Sequence, residues 1–353
     1  MPAVAGLAAG WLAFCVLVWS YGGSPSDMAA LLVEGTWGTT YGAGQVLFKA
    51  TPLLFTGLAV DLALRAGLFN IGAEGQLAVA SLAAGVVGSR LPAGTPAFVA
   101  LPATLAAAMT AGAAWAAVPA LLKGRFGAHE VISTIMMNRV AEGVVGLLVA
   151  SGLALTGTVR TADVVPGARV PRLDALFPAF RGSAASFAVV LAIVATALVT
   201  LAHRRTRVGR EMGLIGMNPK AMSAEKVPVT RRLEQALIAS GAIAGAASLG
   251  TVLGYKGYFE EGLGAGAGFG GVAVALLGRG RLGGLVLAAL LFGTLQQGGL
   301  ALNAHVPKEL MEVLQGVVIC AVALADARLR AAVADAATRP LAKPGAQVGG
   351  AGT

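Results

Sequence analysis

The sequence predicts an all-α integral membrane protein, a polytopic helical bundle of about ten transmembrane spans. Of its 353 residues, 56% are hydrophobic and only 12% are charged, whereas a soluble domain carries about 25% charged residues. The apolar residues lie in runs of about 20, the length of a spanning helix, rather than in the alternating segments of about ten that form membrane barrels. We therefore expect one transmembrane domain over residues 1–325. The Ala-, Pro- and Gly-rich tail, 326–353, has the composition of a disordered segment.

Ten apolar runs account for the predicted spans. They cover about residues 4–19, 46–64, 69–88, 96–122, 130–155, 184–202, 233–253, 264–278, 282–302 and 310–324. No Lys or Arg precedes the first run, so it is predicted to be an uncleaved span. Residues 22–44 are polar and are predicted to form an outside loop. The eighth run is short for a crossing, so we expect a broken or re-entrant helix there; if it does not cross, the C-terminal half is inverted.

The basic residues are distributed unequally between the two sides that ten spans create. With the N-terminus inside, 17 of the 26 Lys and Arg residues fall on the inner side and seven on the outer side. Because positively charged loops stay in the cytoplasm, both termini are predicted to be cytoplasmic. The net charge of +9 is then explained by the cytoplasmic loops. The sequence has no basic stripe interleaved with aromatic residues, so it does not indicate binding to nucleic acid.

The most unusual stretch is 67–76, at the start of the third predicted span. It places Asn70, Glu74 and Gln76 at the entry to a long apolar run, where an ionisable side chain is costly and indicates a functional site. Asn70 and Glu74 are four residues apart and would share one helix face. On the structural interpretation, Asn70 caps the helix and Glu74 complements its dipole. On the functional interpretation, they line a translocation path, and the two interpretations are compatible.

A second polar stripe lies in the fifth predicted span. Glu130, Thr134 and Asn138 recur every fourth residue, and Arg139 and Glu142 follow them. Such a span is too polar to face lipid, so the stripe is predicted to face the interior of the bundle. There it either lines a path or ties helices together through hydrogen bonds.

Several short motifs restrict the chemistry that this chain can perform. His129-Glu130 begins an HExxH pattern, but Ser133 stands where the second His is needed, so no zinc site is predicted. The glycines of 266–271 match GxGxxG without a preceding strand, which favours helix packing. No Lys follows a Gly, so a P-loop is absent and any ATP must be bound by another polypeptide. Asp61 and Arg65 are predicted to form an ion pair at a helix end.

The polar segment 203–232 is the largest predicted cytoplasmic loop. Asn218 can cap a short helix that has Pro219 at its first position. A short helix with basic residues on both sides is suited to dock on a partner. The alternative is a loop whose arginines only fix the topology.

Together these stretches resemble the permease subunits of bacterial ATP-binding-cassette (ABC) importers for ribose-type sugars and branched-chain amino acids, and most of all their nucleoside branch. The similarity covers about residues 50–324. Its motifs are 67–76, 130–134 with Asn138, 268–279, the coupling segment 216–227, and Gln315-Gly316. The chain departs from the pattern by having His129 for Asn, Gly270 for Asp, Met222 for Ala and Lys226 for Gly.

The resemblance implies a transport subunit of the bacterial plasma membrane that is not itself an enzyme and holds no cofactor. The implied partners are cytoplasmic ATPase subunits that use ATP, a second permease that is identical or paralogous, and an extracytoplasmic substrate-binding lipoprotein. The implied residues for ATPase coupling are Gly216, Asn218, Pro219, Lys220 and Ala221. The candidate path residues are Asn70, Glu74, Gln76, Glu130, Thr134 and Asn138.

Nucleosides are the expected substrates, with simple sugars or branched-chain amino acids as alternatives within the family. An ion-coupled secondary transporter that works alone is the alternative from another class. Its ion sites would be Glu74, Glu130 and Glu142, and it would transport without an ATPase.

Overall fold

The computed structural model describes residues 2–305, 307, 309–321 and 324. The described chain is almost entirely helical, and its β-structure is limited to two isolated bridges, Arg160 with Glu260 and Arg172 with Ser186. This confirms the predicted fold class. The predicted disordered tail, 326–353, lies outside the described residues.

The helices follow one another through short connections, apart from one long irregular segment at 154–187. In chain order they are α1 (Pro2–Ser20), α2 (Pro25–Thr36), α3 (Thr40–Arg65), α4 (Ala73–Arg90), α5 (Ala97–Phe126), α6 (Glu130–Leu148), α7 (Ala188–Arg205), α8 (Arg207–Met217), α9 (Pro219–Ala224), α10 (Val229–Gly245), α11 (Ser248–Thr251), α12 (Ala267–Gly278), α13 (Leu282–Leu302) and α14 (309–321). Wide π-helical turns extend α6 over Val149–Leu153 and follow α11 over Val252–Lys256.

Six of the described helical segments are long and apolar enough to cross a membrane: Thr40–Arg65, Ala97–Phe126, Glu130–Leu153, Ala188–Arg205, Val229–Lys256 and Leu282–Leu302. The first and the fifth differ from the others because 83% and 78% of their apolar windows are buried within the chain. A helix that is apolar all round is stable when it is surrounded by other helices. The helix α3 and the α10–α11 segment therefore form the centre of the bundle.

Small residues let the central helices approach closely. Gly112 of α5 and Gly241 of α10 face each other, and a Cβ atom on either one would overlap the backbone of the other. Because lipid is as apolar as a side chain, helices in a membrane associate largely through such close packing. This explains the high glycine content of the chain.

The connections gather at two ends of the bundle. At one end, Gly216 of α8 lies against the last turn of α3 at Arg65, and Gly124 near the end of α5 lies against Glu234 of α10. We call this the α8 end. At the opposite end, the segment 154–187 lies over the helix termini, where Val165 N donates to Gly88 O at 2.9 Å.

The predicted outside loop at 22–44 is wrong. It contains α2, and α3 begins at Thr40 rather than near residue 46. Pro25 occupies the first turn of α2, where its missing N–H is not needed. Gly35 at the other end of α2 contacts Ala301, so the helix packs along the end of α13.

The predicted short eighth span is part of a segment that runs from one end of the bundle to the other and is helical over only part of its length. The chain leaves the opposite end at Glu260, which bridges to Arg160, and enters the bundle as a non-helical segment. Gly262, Gly264 and Gly266 in this segment have φ values of 82°, 85° and 83°, a region that favours glycine. The helix α12 then runs to the α8 end, where Arg65 Nη2 donates to Gly280 O at 2.9 Å.

Candidate functional site

The third predicted span begins at Ala73 and not at residue 69, so the prediction that Asn70 shares a helix face with Glu74 is wrong. Asn70 stands before the helix in a non-helical stretch that follows Gly67, whose φ is 78°. The side-chain oxygen of Asn70 accepts a hydrogen bond from Gly72 N at 2.9 Å. Asn70 therefore shapes the turn that leads into α4, and Gly72 is the N-cap residue.

The Asn70 amide belongs to a buried hydrogen-bond network that joins three helices. Its Nδ2 donates to Gln76 Oε1 at 3.0 Å and to Ser240 Oγ at 2.8 Å. Ser240 Oγ in turn donates to Ala59 O at 2.6 Å. The network links α3, α4 and α10, and a fully satisfied buried network makes one arrangement of helices specific.

Glu74 stabilises the beginning of α12. Its two carboxylate oxygens accept hydrogen bonds from Gly266 N at 2.6 Å and from Gly268 N at 2.7 Å. A carboxylate at a helix N-terminus satisfies free amides and complements the helix dipole. The sequence predicted that Glu74 complements a helix dipole, and Glu74 does lie in the first turn of α4. The helix whose amides it binds, however, lies 192 residues further along the chain.

Close packing of α12 on α4 accompanies this contact. A Cβ atom on Gly268 would overlap the backbone of Glu74, and one on Gly271 would overlap Thr56 of α3. Thr56 Oγ1 also donates to Ala267 O at 2.7 Å. Gly268 and Gly271 therefore serve helix packing, as the sequence indicated, whereas Gly266 lies before the helix with a φ of 83° and open space at its Cβ position.

The polar stripe of α6 divides into a buried part and a peripheral part. Thr134 and Asn138 are buried, which confirms that this part faces the bundle interior. Asn138 Nδ2 donates to Ile71 O at 2.9 Å, and its Oδ1 accepts from Gly75 N at 2.9 Å. Asn138 thus satisfies backbone groups at the start of α4.

Charged residues on α6 lie further from the core. Glu130 is half-buried and forms an ion pair with Lys123 at 2.9 Å, where α5 passes into α6. Arg139 and Glu142 pair at 2.9 Å with side-chain exposures of 75% and 58% in the single chain. Arg139 and Glu142, which follow the stripe that was predicted to face the interior, are thus exposed in the single chain.

A cavity of about 120 Å³ lies beside Glu74. Its lining includes Asn138, Glu142, Phe259 and Glu261. Small-molecule sites usually enclose about 300–1,000 Å³. In this conformation the cavity is too small for a nucleoside, so contact between these residues and a substrate stays a prediction.

The coupling segment forms two short helices at the α8 end. Asn218 Oδ1 accepts a hydrogen bond from Ala221 N at 3.1 Å, and Pro219 is the first residue of α9, which confirms the predicted cap. Gly216, Asn218, Pro219, Lys220 and Ala221 are all exposed. The residues predicted to meet the ATPase thus lie on an accessible surface, and Gly216 seats α8 on the end of α3.

Glu211 fastens α8 to α10. Its carboxylate oxygens accept from Arg207 Nε at 2.7 Å and from Arg232 Nε at 2.6 Å. These hydrogen bonds from two guanidinium groups lower the pKa of Glu211 below its ordinary value. Asp61 and Arg65 form the predicted helix-end ion pair at 2.7 Å, and through Gly280 they also hold the turn between α12 and α13.

Sequence reasoning missed the partners that complete the site. Ser240 and Thr56 lie inside apolar runs and carry no motif, and the amides of Gly266 and Gly268 have no side-chain signature. A lone hydroxyl in an apolar span is a weak signal, although in lipid it needs an acceptor. The acceptors here are backbone carbonyls on other helices.

The chain is similar to known proteins along most of its length. Residues 42–323 match the family model described as "Branched-chain amino acid transport system / permease component". The chain is 35% identical over 327 residues to the guanosine ABC transporter permease protein NupP of Bacillus subtilis, covering 91% of this chain and 90% of the relative.

Two further relatives cover most of the chain. The glucose ABC transporter permease protein TsgB13 of Haloferax volcanii is 33% identical over 84% of this chain and 79% of its own length. The nucleoside ABC transporter permease protein NupB of Lactococcus lactis subsp. cremoris is 26% identical over 89% of this chain and 88% of its own length. No solved structure matches significantly.

Proposed function

Since this chain belongs to the family of branched-chain amino acid transport system permease components and is a multi-pass permease subunit of an ABC importer, we propose that its substrates are nucleosides. The observation that carries the proposal is the 35% identity to a guanosine permease over nine tenths of both chains. The motif at 67–76, which resembles the nucleoside branch, supports the same assignment.

The α8 end is the cytoplasmic end in this proposal. The basic residues there include those of 203–232, the region with the largest concentration of Lys and Arg in the sequence, and positive loops are retained in the cytoplasm. Both termini are then cytoplasmic in a bacterial plasma membrane. A second permease, identical or paralogous, completes the pathway, and two ATPase subunits bind the coupling helices of the permease pair, of which α9 is the one in this chain. An extracytoplasmic lipoprotein delivers the substrate at the opposite end.

The transport cycle is alternating access powered by ATP in the partner subunits, without a cofactor in this chain. Movement of the ATPases displaces α9 and α8, and Gly216 transmits the displacement to the end of α3 at Arg65. Arg65 binds Gly280 in the turn after α12. The helix α12 is therefore the element that moves with the ATPases. Glu74 binds the amides at its other end, the N-terminus.

Uptake of labelled guanosine into cells with and without this chain tests the assignment, with ribose, adenine, cytidine, glucose and leucine as competitors. Competition by nucleosides alone supports the proposal. Competition by glucose favours sugar transport, the second candidate, since a glucose permease is 33% identical. Purification distinguishes the ABC mechanism from a secondary carrier. The ABC mechanism requires that an ATPase subunit co-purifies with the chain. It also requires that the chain alone, in liposomes under an ion gradient, does not transport.

A further inference from the structure

A second cavity, of about 600 Å³, lies on the other side of the start of α12 from the Glu74 cavity. Its wall is formed by α3, α12, α13 and α14, and it includes Lys49, Phe269, Gln296, Gln315 and Met311. We call it the α14 groove. Its volume falls within the usual range of about 300–1,000 Å³ for sites that hold small molecules.

Four polar side chains line the α14 groove, those of Lys49, Gln296, Glu312 and Gln315. In the described part of the chain, Lys49, Gln296 and Gln315 form no side-chain hydrogen bond or ion pair. By contrast, the Asn70, Glu74 and Asn138 side chains all bind protein groups. An amine and two amides without partners are costly inside a membrane domain, and such groups indicate a binding site or path.

One aromatic ring in the groove is also available. Phe269, in the first turn of α12, is 52% exposed. It is surrounded by small residues, among them Gly266 and Gly270, so a flat ligand can approach its face. Stacking of a nucleobase on an aromatic side chain contributes about 1–3 kcal/mol.

The groove lies towards the end at which a delivered substrate would enter. Phe48, next to Lys49, packs against Tyr255 at the opposite end, with ring centroids 4.7 Å apart. The inner limit of the groove is the start of α12, where Glu74 binds the helix amides. A substrate in the groove would therefore rest on the helix that is connected to the α8 end.

We propose that the α14 groove is the nucleoside-contacting site of this permease, with the base stacked on Phe269 and the polar edges of base and ribose bonded by Lys49, Gln296 and Gln315. This inference rests on the proposed function and deepens it. The donors suit the carbonyl and hydroxyl groups of a neutral nucleoside, and the ring distinguishes a nucleoside from a sugar.

The test is photolabelling of the assembled complex with 8-azidoguanosine, followed by mapping of the labelled peptide, together with guanosine uptake. We expect label on α12 or α14, protection by guanosine, and no protection by glucose. Phe269→Ala should reduce labelling about tenfold, which corresponds to about 1.4 kcal/mol of lost stacking. Phe269→Tyr, which keeps a ring, should restore it. Lys49→Met should also reduce labelling, and Lys49→Arg should retain it.

The matched control is Phe98→Ala, which removes another exposed phenylalanine, in α5 and outside the groove. It should leave labelling unchanged. If the wild-type complex takes up guanosine normally but the label maps elsewhere, the groove assignment is wrong and the proposed function stands. The same holds if the labelling of Phe269→Ala is unchanged. Loss of the second permease from purified Phe269→Ala complex would show a subunit interface and would overturn the groove assignment too. Absence of wild-type nucleoside uptake would overturn the proposed function as well.

Discussion

Replacing Glu74 by alanine removes the group that binds the first amides of α12. Gly266 N and Gly268 N lie 2.6 and 2.7 Å from the carboxylate oxygens, and alanine would leave both amides without this acceptor. Glu74→Gln is the sharper variant because it keeps the shape of the side chain. Its single carbonyl oxygen can accept one of the two bonds, and its NH₂ group would face the other donor.

The expected loss of free energy follows from the number of hydrogen bonds that Glu74 accepts from α12. A hydrogen bond to a charged group contributes about 1.5–3 kcal/mol, so alanine should destabilise the seated start of α12 by about 3–6 kcal/mol. That is roughly a 10²- to 10⁴-fold change in the ratio of molecules with α12 packed against α4 to molecules with α12 displaced from it. Glutamine should lose about half of this free energy, with the second donor left facing an NH₂ group.

Two measurements on the assembled complex follow these changes. Guanosine uptake should be abolished in Glu74→Ala, and insertion of the protein in the membrane should be unaffected. A cysteine introduced as Ala265→Cys, with the two native cysteines replaced by serine, should react faster with a membrane-impermeant maleimide when Glu74 is replaced. Both effects should be intermediate in Glu74→Gln.

The control is Glu142→Gln, which removes a carboxylate from the same cavity but from an exposed pair with Arg139. Such exposed pairs contribute about 0–1 kcal/mol, so uptake should persist. If Glu142→Gln and Glu74→Gln both abolish uptake, then the negative charge of the cavity, and not the hydrogen bonds to α12, is what transport requires. Normal uptake and an unchanged cysteine reaction in Glu74→Ala would refute the role of Glu74 in holding α12.

Three further predictions concern the α8 end and the packing of α12. Replacing Asn218 and Pro219 together should remove the cap of α9, worth about 1 kcal/mol, and uncouple ATP hydrolysis from transport; this is measured as loss of substrate-stimulated ATPase activity. Because two arginines lower the pKa of Glu211 below 4.5, its ion pairs stabilise the folded chain above that pH, and this contribution is lost as the pH falls through the lowered pKa. The melting temperatures of wild type and Glu211→Gln should therefore converge in acid. Gly268→Ala should lower the melting temperature, whereas Gly283→Ala, where a Cβ atom meets open space, should not.

Each of these has a contrary result. Unchanged stimulation of the ATPase in the double variant would refute the assignment of α9 as the docking helix. A difference between the Glu211 melting curves that persists to low pH would show that packing, and not the ion pairs, accounts for the stabilisation. Equal melting temperatures for the two glycine variants would mean that α12 can move away from α4 at little cost.

Local features of this structure were predictable from the sequence, because they depend on neighbouring residues. The cap of α9 by Asn218 needs only Pro219 and Ala221, and the Asp61–Arg65 pair lies within one helical turn. Asn70 was predicted less well. Its Oδ1 accepts from Gly72 N within its own turn, and its Nδ2 donates to Ser240, which lies 170 residues further along the chain.

Features that depend on distant partners were not accessible from the sequence. The hydrogen bonds of Glu74 to Gly266 and Gly268 involve backbone amides, which every residue except proline carries. The helix α2 was missed because its residues are mixed in polarity, and its stability depends on contact with α13 through Gly35. Polarity along the chain identified Asn70, Gln76 and Asn138 as polar residues within apolar runs, and only the packing identified what each of them binds.

The half-helix α12 also has a consequence for biosynthesis. Its 12 residues extend about 18 Å, well short of the roughly 30 Å hydrocarbon layer. The preceding glycine segment exposes backbone groups that lipid cannot satisfy, so this part of the chain is a poor substrate for insertion by itself. We expect it to enter the membrane together with its flanking helices and to settle only after α3 and α4 are in place. Assembly of the permease would then end with the same contact, Glu74 on α12, that its transport cycle uses.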